Sequence, residues 1–159
     1  EMGRIFAAKA NAATGPVAFL LPLRGVSILD GEGQLFCDRE ADRIQVFDRM
    51  GNFIRNIDVA WQPTTPPEGR RSGTRGTAVV LGFSPDPEQR LLFVVNQNSV
   101  RVDILNRQTG ELLSSFGGGP GRYRSQFTLP HGIGVDSAGN VYVAEQEGRR
   151  IQKFRLVTQ

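Results

Sequence analysis

Asp136-Ser137-Ala138-Gly139-Asn140-Val141-Tyr142-Val143, followed after a short turn by Arg150-Ile151-Gln152-Lys153-Phe154, decides the fold. An Asp-initiated turn with glycine at its fourth place leads into a strand with period-2 alternation, and a second such strand begins on arginine. The same order occurs twice more. Asp30-Gly31-Glu32-Gly33-Gln34-Leu35-Phe36 precedes Arg43-Ile44-Gln45-Val46-Phe47, and Arg90-Leu91-Leu92-Phe93-Val94-Val95 precedes Val100-Arg101-Val102-Asp103-Ile104-Leu105. A unit of this size cannot bury an apolar face alone, so repetition predicts an array of small antiparallel sheets held by stacking.

Further strands fill out the units. Val26–Ile28 and Leu35–Cys37 open the first, and Ile44–Phe47 and Phe53–Ile57 close it around Asp48-Arg49-Met50-Gly51-Asn52. The second reads as Ala78–Phe83, Leu91–Val95, Val100–Leu105 and Glu111–Phe116; the third has Gly132–Val135, Val141–Ala144 and Ile151–Leu156, without a fourth strand. No window carries apolar residues at helical spacing between caps, so the expectation is all-β. Residues 61–73 are rich in Pro, Gly and charge and read as an exposed loop, and Gly117-Gly118-Gly119-Pro120-Gly121 reads as a connector between units. That glycine cluster opens no helix, which argues against phosphate cradling. Ile28, Leu35, Ile44, Val46, Phe93, Val95, Val102, Ile104, Val135, Val141, Val143 and Ile151 are the expected core.

Composition narrows function mostly by exclusion. With 39% hydrophobic and 22% charged residues in 159, the chain has the make-up of a globular domain. No apolar run approaches the length that spans a bilayer, and the most apolar stretch, Val17 to Leu23, is interrupted by Pro22. The N-terminal residues lack the pattern of a secretory signal, and the compartment stays open. Cys37 is the single cysteine, so no disulfide forms within the chain, and its apolar setting suits a buried thiol. A net charge of +3 is too small an excess to argue for nucleic acid. Ser and Thr occur without a nucleophile elbow, and no two acids are tied by spacing within a unit.

Phe116-Gly117-Gly118-Gly119-Pro120-Gly121, Phe127-Thr128-Leu129-Pro130-His131-Gly132-Ile133-Gly134-Val135-Asp136 and the Gly139–Glu145 and Arg150–Phe154 stretches together resemble the NHL repeat, the blade of mostly six-bladed β-propellers. Asp38–Phe47 is similar, and the middle unit loosely so, extending the resemblance to residues 22–156. It implies an NHL-type β-propeller with three four-stranded blades per chain, half of a six-bladed ring, at about 22–60, 76–117 and 127–159, after an N-terminal segment of residues 1–21. Within the family, Phe127–His131 and Asp38–Phe47 are similar to pieces of the peptidyl-α-hydroxyglycine α-amidating lyase propeller. That resemblance implies a zinc held by three histidines and an arginine near the active site. Here His131 is the one histidine and the candidate metal ligand; zinc or calcium are the metals it suggests, but the incomplete set favours no cofactor.

Arg43 and Arg150 match the lyase arginine and are the candidate ligand-binding residues, through forked hydrogen bonds to a carboxylate. The competing reading pairs them with acidic neighbours such as Asp42, Glu145 or Glu147. Asp30 and Asp136 are expected to cap their own turns. The leading functional expectation is a non-enzymatic module presenting a channel mouth and loops to a ligand or protein; the alternatives are a metal-dependent amidating lyase and an RNA-binding NHL domain. Because three blades cannot close a ring, the expected assembly is a homodimer of half-propellers. In it an N-terminal strand, Arg4–Ala8 or Val17–Leu21, completes the third blade of the partner.

Overall fold

The computed structural model describes residues 43–48, 50–60 and 78–155. The chain divides into two compact units, residues 1–39 with 45–57 and residues 40–44 with 58–159. The described residues form nine strands and no helix, and so none long and apolar enough to cross a membrane. The strands fall where period-2 alternation places them: β1 Arg43–Phe47, β2 Phe53–Asp58, β3 Ala78–Phe83, β4 Leu91–Asn96, β5 Arg101–Asn106, β6 Leu112–Phe116, β7 Pro130–Val135, β8 Val141–Glu145 and β9 Arg150–Phe154. They make three antiparallel sheets, β1-β2, β3-β4-β5-β6 and β7-β8-β9, consistent with a β-propeller-like fold. The expected strands Val26–Ile28 and Leu35–Cys37, the turn at Asp30, Cys37 and the N-terminal segment lie outside the described residues.

The β1–β2 hairpin is closed by one carboxylate. Asp48 Oδ1 accepts from the amides of Met50 and Asn52, each at 2.8 Å, and Oδ2 accepts from Asn52 Nδ2 at 2.8 Å. Gly51 takes a φ of 86°, which the turn requires and a Cβ would resist. The β7–β8 hairpin repeats the device with Asp136, Gly139 and Asn140, where Oδ1 accepts from the amides of Ala138 and Asn140 and Oδ2 from Asn140 Nδ2. Tyr142 Oη adds a donor at 3.0 Å. Asp136 therefore caps its own turn. The middle unit uses variants: Asp86 takes Ser84 Oγ and the Arg90 amide, and Asn106 Oδ1 takes the amides of Gln108 and Thr109.

The four-stranded and three-stranded sheets stack within one unit, their inner strands β3 and β7 adjacent. Register puts Phe93, Val95, Val102, Ile104 and Phe116 on one face of the first sheet. Ile133, Val135, Val141, Val143 and Phe154 line one face of the second. These residues form a single core with Phe127, in which Phe116, Phe127 and Phe154 meet with ring centroids 4.6–6.4 Å apart. Gly82 on β3 lets the sheets close, since a Cβ there would stand 3.2 Å from Val135 and 3.4 Å from Ile133. Gly117, at φ 132°, turns the chain out of β6 where a side chain would meet the Arg101 Cα and the Val100 carbonyl.

Of the ten expected core residues among those described, six are buried: Ile44, Phe93, Val95, Val102, Val141 and Val143 expose 3% or less. Val46, Ile104 and Val135 are half-buried. Ile151 corrects the expectation, with 68% of its surface exposed. Its register partner is Ala144, on the face of β7-β8-β9 turned away from the core, and Gln152 takes the inward place. The set also missed Phe127, a loop residue with no exposed surface.

Asp136 is held to a pKa of about 2 against an ordinary 3.8, first by the Asn140 side-chain bond and, against an opposing desolvation, by the Asn140 amide, Tyr142 and the Ala138 amide that also donate to it. A folded pKa below the unfolded value means its stabilisation is complete above pH 3.8 and is lost as pH falls through about 2. Asp136→Asn should therefore flatten the acid limb of the stability curve between those values. Denaturant titrations of wild type and variant across that range measure it; parallel curves would refute the assignment.

Candidate functional site

A buried carboxylate organises the end of the molecule at which β7 begins. Glu145, the last residue of β8, has its side chain wholly buried. Oε2 accepts from the Thr128 amide at 2.6 Å, and Oε1 accepts from Arg150 Nε at 2.6 Å and Gln152 Nε2 at 2.9 Å. A charge in that position needs this degree of pairing, because desolvation alone would cost several kcal/mol. Arg150 spends its other donors on main-chain carbonyls, those of Arg122, Tyr123 and Gln126 at 2.5, 3.2 and 2.7 Å. Gln152 also donates to the Gln126 carbonyl at 2.7 Å and accepts from the Ser125 amide at 3.0 Å. The connector between β6 and β7 is thus fastened to β9 and β8. Gly148 belongs to the same device, since a Cβ on it would collide with the Glu145 carboxylate.

The preceding sheet carries an equivalent set. Asn96 ends β4 opposite Arg101 as Glu145 ends β8 opposite Arg150, and Asp103 stands where Gln152 does. Asn96 Nδ2 donates to the Ala60 carbonyl at 2.8 Å and to Asp103 Oδ2 at 3.0 Å, while the Arg101 guanidinium reaches the Ala60 carbonyl at 3.3 Å. Arg101 Nε lies 2.6 Å from Asp103 Oδ1, with 8% and 2% of the two side chains exposed. These two atoms are not aligned for a hydrogen bond, and the pair is joined instead by Arg101 Nη2 donating to Asp103 Oδ2 at 3.4 Å together with Coulombic attraction. Each arginine opens the third strand of its unit and grips a carbonyl between the outer strand of one sheet and the inner strand of the next. The turns before them match as well, Val100 and Arg149 taking φ of 52° and 48°.

Arg43 opens β1 and is exposed. Arg150 is engaged by Glu145, one of the acidic neighbours the sequence offered. His131 is exposed on β7, next to Pro130, whose carbonyl accepts from Gln97 Nε2 at 3.1 Å. Register brings His131 and Arg150 to the same end of the β7-β8-β9 sheet. Among the described residues no group of three or more His, Cys, Asp or Glu side chains could hold a metal ion. With one imidazole in the chain, these residues do not fit the three-histidine zinc centre that the lyase resemblance implies. Sequence reasoning missed Gln152, Thr128, Asn96 and Asp103; the one signal was the polar residue two places after each arginine, on the same face of the strand.

An NHL repeat is present at residues 127–154, which spans β7, β8 and β9. Residues 1–61 match a different model, the C-terminal domain of an uncharacterised protein family, UPF0261. A UPF0261 protein of Rhizobium meliloti (strain 1021) is 54% identical over 57 residues, which is 36% of this chain and 14% of that protein. The chain thus spans a small part of that relative. The N-terminal match covers the stretch, Asp38–Phe47, that the sequence likened to a first NHL unit.

Removing one member of the buried set leaves the others unsatisfied. Glu145→Ala should cost about 3 kcal/mol and speed hydrogen exchange at the Thr128 and Ser125 amides, which the clamp holds. Urea denaturation and amide exchange measure both; unchanged exchange in that loop would show that the connector is held by other means.

Proposed function

We propose that the chain is a β-propeller-type interaction module that meets its partner at the end where β7 begins. The carrying observation is that the connector and the β8–β9 turn at this end are fixed by buried polar groups while their tips stay exposed. A scaffold of that kind presents recognition residues at low entropic cost. The NHL repeat over β7–β9 supports the module reading. The lyase and RNA-binding alternatives gain no support from the described residues or from the relatives.

The test is position-specific cross-linking in extract of the cells that make the protein. Benzoylphenylalanine at His131 should yield discrete adducts, and at Gln108, exposed on the β5–β6 turn at the opposite end, it should yield none. Adducts from neither position, or equally from both, would refute the reading.

A homodimer of half-propellers is a second proposal, favoured by one observation. Among the described residues the β7-β8-β9 sheet has three strands against four in its neighbour, and Ile151 is exposed on its outward face. A strand from a second copy added to β9 would complete the sheet and cover that residue. Sedimentation of the purified chain at micromolar concentration should then give twice the chain mass; a monomer refutes it.

A further inference from the structure

The connector between β6 and β7 ends in a tip, Arg122-Tyr123-Arg124, whose backbone is held from inside. Arg150 binds the carbonyls of Arg122 and Tyr123, and Gln126 Oε1 accepts the Tyr123 amide at 3.1 Å. The Gln126 amide returns to the Tyr123 carbonyl, and Ser125 is tied to Gln152. The side chains point away from this framework. Tyr123 is 81% exposed, and Arg122 and Arg124 are exposed on either side. Tyr123 is thus held out in water between two cations and takes no part in the apolar core.

The charge around it is of one sign. From Phe116 to Val135 there is no Asp or Glu, and Glu145 beneath the tip is neutralised by Arg150. Arg149, exposed on the β8–β9 turn, adds a cation at this end, where Glu147 is the turn's one acid. The arginines of the opposite end are spent internally. Arg90 pairs with Asp86 at 3.3 Å and Glu88 at 3.8 Å, and Arg107 donates to the carbonyls of Gln89 and Glu88. Among the described residues neither Arg122 nor Arg124 has such a partner.

We infer that Arg122, Tyr123 and Arg124 form a docking point for a short acidic peptide segment of a protein partner. The inference rests on the interaction-module reading and names the chemistry of its ligand. Guanidinium groups take carboxylates through paired, charge-assisted hydrogen bonds, and the Tyr123 ring offers the intervening methylenes an apolar surface. Tyrosine and arginine on a rigid backbone are the residue types that dominate binding energy at protein interfaces. A nucleic acid would call for a longer track of cations than this tip and Arg149 provide.

Binding of a fluorescein-labelled octaglutamate, followed by anisotropy at low salt, tests the inference. The double substitution Arg122→Gln/Arg124→Gln should weaken it by about tenfold or more, and Tyr123→Ser by about fivefold. Arg90→Gln, at the other end, should leave it unchanged. No binding, or binding indifferent to the tip, overturns the inference, as does tighter capture of an octauridylate RNA through the same arginines. Cross-linking from position 131 is read separately, so the module reading can stand when the acidic ligand fails.

Discussion

A carboxylate with no solvent cannot sit on the core-facing row of a sheet unless its charge is answered, and Glu145 is answered by Arg150, Gln152 and the Thr128 amide. Everything at that end of the molecule depends on this arrangement. Without Glu145 the guanidinium would be partly buried against carbonyl dipoles alone, and those dipoles would release the connector. The apolar core and the polar clamp share one face of β7-β8-β9, with Val141 and Val143 toward one end of β8 and Glu145 at the other. Burial of the first pair excludes the water that would weaken the second.

The clamp also explains why arginine opens β5 and β9. At that register position a long side chain lies along the sheet face and extends past the strand end, where the connector crosses. Five donors in a planar fork let Arg150 serve a carboxylate and three carbonyls together, one acceptor more than lysine's three donors can reach. The middle unit solves the problem differently, with Asn96 in place of Glu145 and the acid moved to Asp103, two residues from the arginine. The number of buried charges is the same and the carbonyl is still gripped. Two chemically different solutions at equivalent positions indicate that the constraint is the connector carbonyl rather than the identity of its partners.

The strands were legible because their signals are local. Alternation in Leu91–Val95 and Val141–Ala144 and the Asp-x-x-Gly-Asn turn at Asp136 depend on a few adjacent residues. The face of β9 was not legible. In Arg150-Ile151-Gln152-Lys153-Phe154 hydrophobicity argues for Ile151 inward, but Phe154 and the clamp residues fix the opposite parity, and a single register choice turns every side chain over. For Arg150 the sequence offered Asp42, Glu145 and Glu147 as partners, and choosing Glu145 among them needed the register of β8 and β9. Asp38–Phe47 is a short stretch, of which only the β1 part lies among the described residues, and residues 1–61 also match the model of the UPF0261 C-terminal domain.

Quasi-equivalence carries one step further, to the face that Ile151 occupies. On the four-stranded sheet the corresponding row is Gly82, Phe93, Val95, Val102 and Ile104, covered by the next sheet. On β7-β8-β9 the row becomes Gly134, Tyr142, Ala144, Ile151 and Lys153. The glycine that permits close approach is kept, while the phenylalanine has gained a hydroxyl bound to Asp136 and one isoleucine has become a lysine. That lysine lies 5.3 Å from the Tyr142 ring centre, so the two polar replacements satisfy each other across the sheet. What is left apolar is Ala144 and Ile151, nearest the clamp. A face altered in this way can meet water over the Tyr142 and Lys153 half, while the half beside the clamp keeps the shape of a sheet-stacking surface.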